Sequence, residues 1–473
     1  MFARLSTWLD CTAFPRVKDP EEEAVKVAVL RGVTGLILVW RCSLMLRDSW
    51  YYFGDSDRLL YVLMAAAQLA LALGLTLGVF PRVCAAALLA THPAYSIWTG
   101  TYNLAPMLLT PMMGAFAVLD AGRLSLFGRP RAAPPAIQFR AVYLLLYVAY
   151  AAWSFQACLY HIRDAHWLAG KTVSVLFTNS YLSEFYSWFR LWESAAPGSF
   201  RIWSIATVML QTLFQLFMLP LMLVRWGAVF VHLWGWIFIV GSLLDLQISI
   251  LAVVEVVMWA LIFLPANLFC LPALFRRTNG PLPSLPCGRG VTTGAFCGVY
   301  GLLLLLFFGN AAAQFTWGVT LPEWVRNPVF VHSGLIAPNV FNRDDLSMGD
   351  RWPIFERLDG ADAGLVPFTG WEGERLAYHR GDLIYFGNSL RWRRAMIDVN
   401  DLAGWHEPGT TGYDFAKKIA LYDYRRNGSS GPGIYRVVMM RNHSSESRDD
   451  RLDLQYRSER VCEFTLQVGQ QSP

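Results

Sequence analysis

Charge is scarce in this sequence. Only 16% of its 473 residues are Asp, Glu, Lys or Arg, where a soluble chain carries about 25%. Lysine is rarer still, at 18, 26, 171, 417 and 418 alone. The eight cysteines form no CxxC pair and show no metal-ligand spacing. After position 297 only Cys462 remains, which excludes a disulfide within the last third of the chain. There is no phosphate-binding glycine loop, no nucleophile elbow, no zinc site and no basic surface suited to nucleic acid. No internal repeat is visible, and that argues against an inverted-repeat transporter. No small-residue cleavage site follows the first apolar run, so that run reads as a retained helix, not a signal peptide.

Long apolar runs dominate what is left. The chain is 55% hydrophobic, with a mean hydropathy of +0.34. A helix needs about 20 apolar residues to span the hydrocarbon core. Candidate spans start near residues 27, 59, 82, 102, 140, 200, 227, 247 and 293. The third and fourth are interrupted by Pro93, Pro106 and Pro111. Broken helices are tolerated where protein or a cavity surrounds them. The expected fold class is therefore an α-helical polytopic membrane protein of about nine transmembrane helices, followed by a mostly-β extracytoplasmic domain. The expected boundaries are 1–26 for a cytoplasmic N-terminal segment, 27–316 for the membrane domain and 317–473 for the outer domain.

Loop charge sets the expected orientation. The loop around 121–140 carries Arg123, Arg129, Arg131 and Arg140 without an acid, and that around 270–292 carries Arg276, Arg277 and Arg289. Short basic loops stay in the cytoplasm. A cytoplasmic N-terminus and nine spans put both loops inside, with the turn at Arg225. The loops 47–58 and 161–200 and everything after about 317 then fall outside. The membrane is the plasma membrane if the source is bacterial and the endoplasmic reticulum if it is eukaryotic. The sequons Asn427-Gly-Ser and Asn442-His-Ser lie in the outer part. Alternating runs at Asp382–Phe386, Ile434–Met440 and Val461–Leu466 read as strands there.

One stretch concentrates the polar chemistry. Between two apolar segments, Leu159–Phe177 holds Tyr160, His161, Arg163, Asp164, His166, Trp167 and Lys171. Ionisable groups at a membrane span are costly unless they face water or a polar cavity, so they mark a candidate site. His161 and His166 are possible proton carriers near neutrality. Lys171 is either a desolvated neutral base or a snorkelling side chain. Arg163 stays charged and suits an anionic group. His232 lies inside the seventh span and Gln215 inside the sixth, either as its partner or as helix glue. Glu255 must face the bundle. The aromatic segment 170–198 reads as an interfacial or re-entrant helix.

Several motifs, taken in order, carry a family likeness. They are Arg31-Gly-Val-Thr-Gly35 with Trp40, Tyr52-Phe-Gly-Asp55, Trp98-Thr-Gly-Thr-Tyr-Asn103, and Tyr160 followed by Trp167-Leu-Ala-Gly170. Leu219-Pro220, Arg225-Trp-Gly227 and His232 follow, then Arg351-Trp-Pro-Ile-Phe355. The chain resembles the vitamin K-dependent gamma-carboxylase-like group, whose membrane part is the horizontally transferred transmembrane (HTTM) domain. The resemblance implies a lyase-like scaffold that uses a reduced quinone such as vitamin K hydroquinone and acts on an exported polypeptide. Where that group has a base Lys upstream of the Trp, this chain has His161 to Arg163. An arginine cannot act as a neutral base. The candidate catalytic residues are Lys171, His161, Arg163 and His232. Tyr160, Trp167, His166, Gln215 and Trp98 are the candidates for binding substrate. The competing expectation is a non-enzymatic maturation or binding factor that holds a secreted client. Both expectations place the protein among membrane lipids.

Overall fold

The computed structural model describes residues 14–52, 55–98, 104–126, 131–178, 183–246, 250–269, 288–326, 329–330, 332–335, 351–360, 363–366, 406–427, 432–442 and 458–469. The chain is mostly helical. Helix α1 runs Pro20–Tyr52, α2 Asp55–Leu77, α3 Pro81–Trp98, α4 Leu104–Leu119 and α5 Ala136–His161. Three short helices follow, α6 Ala165–Leu168, α7 Lys171–Thr178 and α8 Tyr186–Ala195. The bundle resumes with α9 Pro197–Leu221, α10 Arg225–Leu244, α11 Ile250–Phe263 and α12 Gly288–Trp317.

Side-chain ties fix the direction of each helix. Thr293 of α12 donates to Gln138 at the start of α5 (3.2 Å), and Gln314 of α12 donates to Tyr160 at the end of α5 (3.3 Å). These two helices are therefore parallel. Tyr143 donates to Glu23 (2.8 Å), which sets the start of α1 beside the start of α5. Lys26 donates to the Leu264 carbonyl (3.1 Å) and Arg31 to Asp120 (3.0 Å), so α11 and α4 end at that same level. Arg82 donates to the Ala117 carbonyl (2.6 Å), so α3 starts there. We name this the basic end. Helices α1, α3, α5, α10 and α12 run away from it, and α2, α4, α9 and α11 run toward it.

Six helical stretches are long and apolar enough to cross a membrane: Pro20–Arg47, Arg58–Leu77, Ala136–His161, Pro197–Leu221, Arg225–Leu244 and Gly290–Trp317. Met107–Leu119 and Ile250–Phe263 are apolar but shorter. Three of the nine expected spans thus fall short of that measure, for local reasons. α3 carries Arg82, Thr91, His92 and Ser96 among its 18 residues, and α4 has only 16 residues. α11 has only 14 residues, about 21 Å of helix. α7 and α8 are far too short to cross, in keeping with an interfacial reading of 170–198.

After α12 the chain turns back into the bundle. Leu321 N–H donates to Asn310 (2.8 Å), Phe330 meets Phe307 edge-on (5.4 Å), and Tyr300 donates to the Ser333 carbonyl (3.0 Å). Gly334, at φ +75°, lies against the Met107 carbonyl of α4. Leu321, Phe330, Ser333 and Gly334 therefore pack with the apolar helices, which the composition of the tail did not suggest. A small antiparallel sheet follows, made of β1 Arg351–Arg357, β2 Gly364–Leu365, β3 Gly433–Asn442 and β4 Ser458–Val468 in the order β2-β1-β3-β4. Two of the three expected strands lie within β3 and β4; Asp382–Phe386 lies outside the described residues. Helix α13, Thr411–Asn427, covers this sheet with Ala416, Ile419 and Ala420 and also packs on α1. Tyr435 of β3 donates to Asp423 of that helix (2.6 Å).

Candidate functional site

The Leu159–Phe177 stretch sits at the end of the bundle opposite the basic end. α5 stops at His161, and Asp164 caps the next turn by accepting from the His166 N–H (2.8 Å). Gly170 then takes φ +74°, and a Cβ there would sit 2.9 Å from the Ile205 side chain and 3.0 Å from its backbone nitrogen. The Trp-x-x-Gly spacing therefore has a mechanical cause. The glycine lets the turn lie directly on α9, and the tryptophan three residues earlier fills the space beside it.

That tryptophan organises the site. Trp167 is buried and stacks on His161 with centroids 3.8 Å apart and planes 14° apart. Its indole N–H donates to Thr212 (2.9 Å). His161 Nδ1 hydrogen-bonds Gln215 Oε1 (3.2 Å). Gln215 is thus the partner of His161, not of His232. The arrangement ties the end of α5 to the middle of α9 and holds the imidazole flat against an indole, 2% exposed.

Tyr160 and Arg163 point elsewhere. With Gln156, Leu159, Ala311, Gln314 and Phe315 they line a small cleft between the ends of α5 and α12, of about 240 Å³ including its open mouth. Arg163 donates to the Phe315 carbonyl (2.7 Å), and its guanidinium lies 4.5 Å from the centre of the Phe315 ring. The Gln314 amide donates to the Tyr160 hydroxyl (3.3 Å). The cleft therefore offers a fixed cation, two amides and a phenol beside an aromatic wall.

Lys171, His166 and His232 do not line this cleft. Lys171 opens α7, half-buried, and does not line it. His166 is half-exposed, and its backbone makes the cap. His232 packs edge-on against Phe263 (4.4 Å), which in turn meets Tyr147 (5.7 Å). Two residues after His232, Trp234 donates to Gln211 of α9 (2.9 Å), one turn before Gln215, so His232 lies on the helix that packs beside α9 but does not line the cleft. Trp98 ends α3, and its side chain lies outside the described residues.

Beyond the turn, Asp245 accepts from the Ser183 hydroxyl (2.7 Å) and the Phe185 N–H (2.9 Å), fixing the start of the aromatic segment. Phe177, Phe189, Trp192, Phe200 and Trp203 then pack ring on ring. Glu193 of α8 is half-buried beside them, and that burial pushes its carboxyl up to about 7 against the opposing pull of Arg190. Glu255 does face the bundle, 3% exposed, and accepts from Tyr150 (3.1 Å).

Two buried ionic groups at the basic end were not singled out in the sequence. Lys26 pairs with Glu23 (2.7 Å), and Arg31 with Asp120 (3.0 Å). The signal for the first was the i,i+3 spacing of opposite charges at the start of a span. No group of His, Cys, Asp and Glu suited to a metal ion occurs among the described residues. No family model, curated protein or solved structure matches the chain.

Proposed function

We propose that the chain is an HTTM-like protein that crosses the membrane nine times and holds an exported polypeptide at its non-cytoplasmic end without transforming it. Two observations support the nine crossings. Successive bundle helices alternate in direction. The described arginines of the 121–140 loop gather with Arg82 at one end, where Arg123 pairs with Glu21, and basic loops belong in the cytoplasm. The cleft then opens on the other face, and the sheet domain that follows α12 belongs with it.

The composition of the cleft carries the binding reading. A guanidinium, two amides and a phenol recognise a peptide through hydrogen bonds and charge. A general base must reach the proton it takes, within about 3 Å or through one water. His161 is locked by Trp167 and Gln215, and neither Lys171 nor His232 lines the cleft. The carboxylase-like reading needs these groups together.

The test uses the full-length protein in nanodiscs with a Glu-containing peptide. Arg163→Ala is expected to weaken peptide binding by about tenfold, the loss of one charge-assisted hydrogen bond. With reduced quinone and labelled bicarbonate added, no label should enter the peptide. Label incorporation abolished by Lys171→Ala or His161→Ala would overturn the proposal in favour of an enzyme.

A further inference from the structure

Two turns at the basic end are tied to each other. One joins α2 to α3 at 78–80, and the other follows α4 at 122–126. Leu126 N–H donates to the Leu77 carbonyl (3.2 Å), and the Ser125 hydroxyl donates to the Gly78 carbonyl. Gly78 takes φ +70°, and a Cβ there would sit 2.8 Å from Ser125 Cα. Phe80 takes φ +45° and Leu124 φ +52°, and no other described non-glycine residue has a positive φ. Large side chains are strained in that region, and such strain points to function. These turns hold apolar groups outward, and Phe80 is 75% exposed.

The level of the turns is set by α2. Its apolar span ends at Leu77, so the turns lie where hydrocarbon meets water. An exposed apolar strip crosses that boundary. It runs from Leu73 and Leu77 of α2 to Phe80 and Val83, with Leu126 tied alongside.

Positive charge sits beside the strip. Arg31 pairs with Asp120 (3.0 Å) and Arg123 with Glu21, so both of these acids are taken. Arg82 and Arg131 form no ion pair among the described residues. Arg82 Nε donates to the Ala117 carbonyl (2.6 Å), and the Arg131 N–H donates to the Ala121 carbonyl (2.9 Å). Those carbonyls belong to residues one helical turn apart where α4 ends, so the two arginines are neighbours. The Arg131 charge acts on Arg82. Like charges at that spacing repel, and an anion between them removes the repulsion.

A phosphodiester carried on apolar chains fits both features. We propose that these two turns bind an anionic phospholipid, with its phosphodiester held by Arg82 and Arg131 and its acyl chains along Leu77, Phe80 and Val83. A zwitterionic lipid fits less well, because its ammonium would face two guanidiniums while Asp120 and Glu21 are already paired. The site is independent of the peptide cleft, which lies at the other end of the bundle.

The probes are dioleoyl phosphatidylglycerol and dioleoyl phosphatidylcholine, which share their chains and differ in net charge. Binding of each to the detergent-solubilised full chain is measured by native mass spectrometry. The anionic lipid should bind about tenfold more tightly, the worth of one charge-assisted hydrogen bond. Arg131→Gln, at an exposed side chain, should bring that ratio below about threefold. Arg201→Gln, exposed near the start of α9, should leave it unchanged. Glycerophosphate, which offers a phosphate without the chains, should not displace the lipid. Phosphatidylglycerol with a diazirine in its acyl chain should crosslink, in the unmodified protein, to the peptide that holds Phe80. Equal binding of the two lipids, a ratio unmoved by Arg131→Gln or lowered equally by Arg201→Gln, displacement by glycerophosphate, or crosslinks confined to other peptides overturns the proposal.

Discussion

At the basic end of the bundle, Arg31 meets Asp120 and Lys26 meets Glu23 in the protein interior. At the opposite end, His161 lies flat on Trp167, and Arg163 faces an open cleft. The two ends are held by different forces. Buried ion pairs tolerate no missing partner, because the survivor is left charged in a medium that cannot solvate it. Stacked rings and neutral hydrogen bonds lose packing when altered but strand no charge. The first end is suited to fixing helix positions and the second to carrying a site that can change without unfolding the bundle. The Tyr143 hydroxyl, donated to Glu23, and the Gly122 N–H, donated to Asp120 (2.6 Å), complete the acceptors at the basic end.

The largest effect should come from breaking that end. Asp120→Ala leaves Arg31 unpaired and 1% exposed, and is expected to cost about 3–5 kcal/mol in unfolding experiments in detergent. Adding Arg31→Met should recover most of the loss, because an apolar side chain replaces the stranded charge. A double variant no more stable than the single would mean that the pair does not set the stability of this end.

Disturbing the cleft end should cost less. Trp167→Ala removes the stacked ring and the bond to Thr212, at about 3 kcal/mol, and should also release His161. Gly170→Ala forces a Cβ toward Ile205 at a positive φ, with an expected cost of about 2 kcal/mol. Lys171→Ala should fall within about 0.5 kcal/mol of wild type and leave peptide binding unchanged, since Lys171 does not line the cleft. A binding loss in Lys171→Ala would return that residue to the site.

A pH dependence sharpens the contrast further. Burial holds the Glu193 carboxyl near 7, above its unfolded value near 4.5. The seated α8 therefore binds a proton more tightly than the released one. Its stability is full below about 4.5, falls as pH rises toward about 7 and is level above that. The protection of the α8 amides, measured as exchange relative to the intrinsic rate at each pH, should fall over that window. A profile without this change would show that Glu193 is solvated.

The long apolar runs were legible in the sequence, because each helix carries its own signal. So was the polar stretch at 159–177, since ionisable groups stand out at a span. Partner choice was not legible. Gln215 sits between His161 and His232 in the chain, and only the crossing of α9 over α5 decides which it meets. The packing of Leu321, Phe330 and Ser333 against α12 was hidden, because everything after Trp317 reads as part of a separate outer domain.

The account rests on the two ends facing opposite sides of the membrane. Impermeant maleimide labelling of Ser194→Cys and Arg225→Cys in intact cells, read against the unmodified chain, tests this directly. Ser194→Cys should label from outside, and Arg225→Cys only after permeabilisation. Labelling of both from the same side would contradict the account.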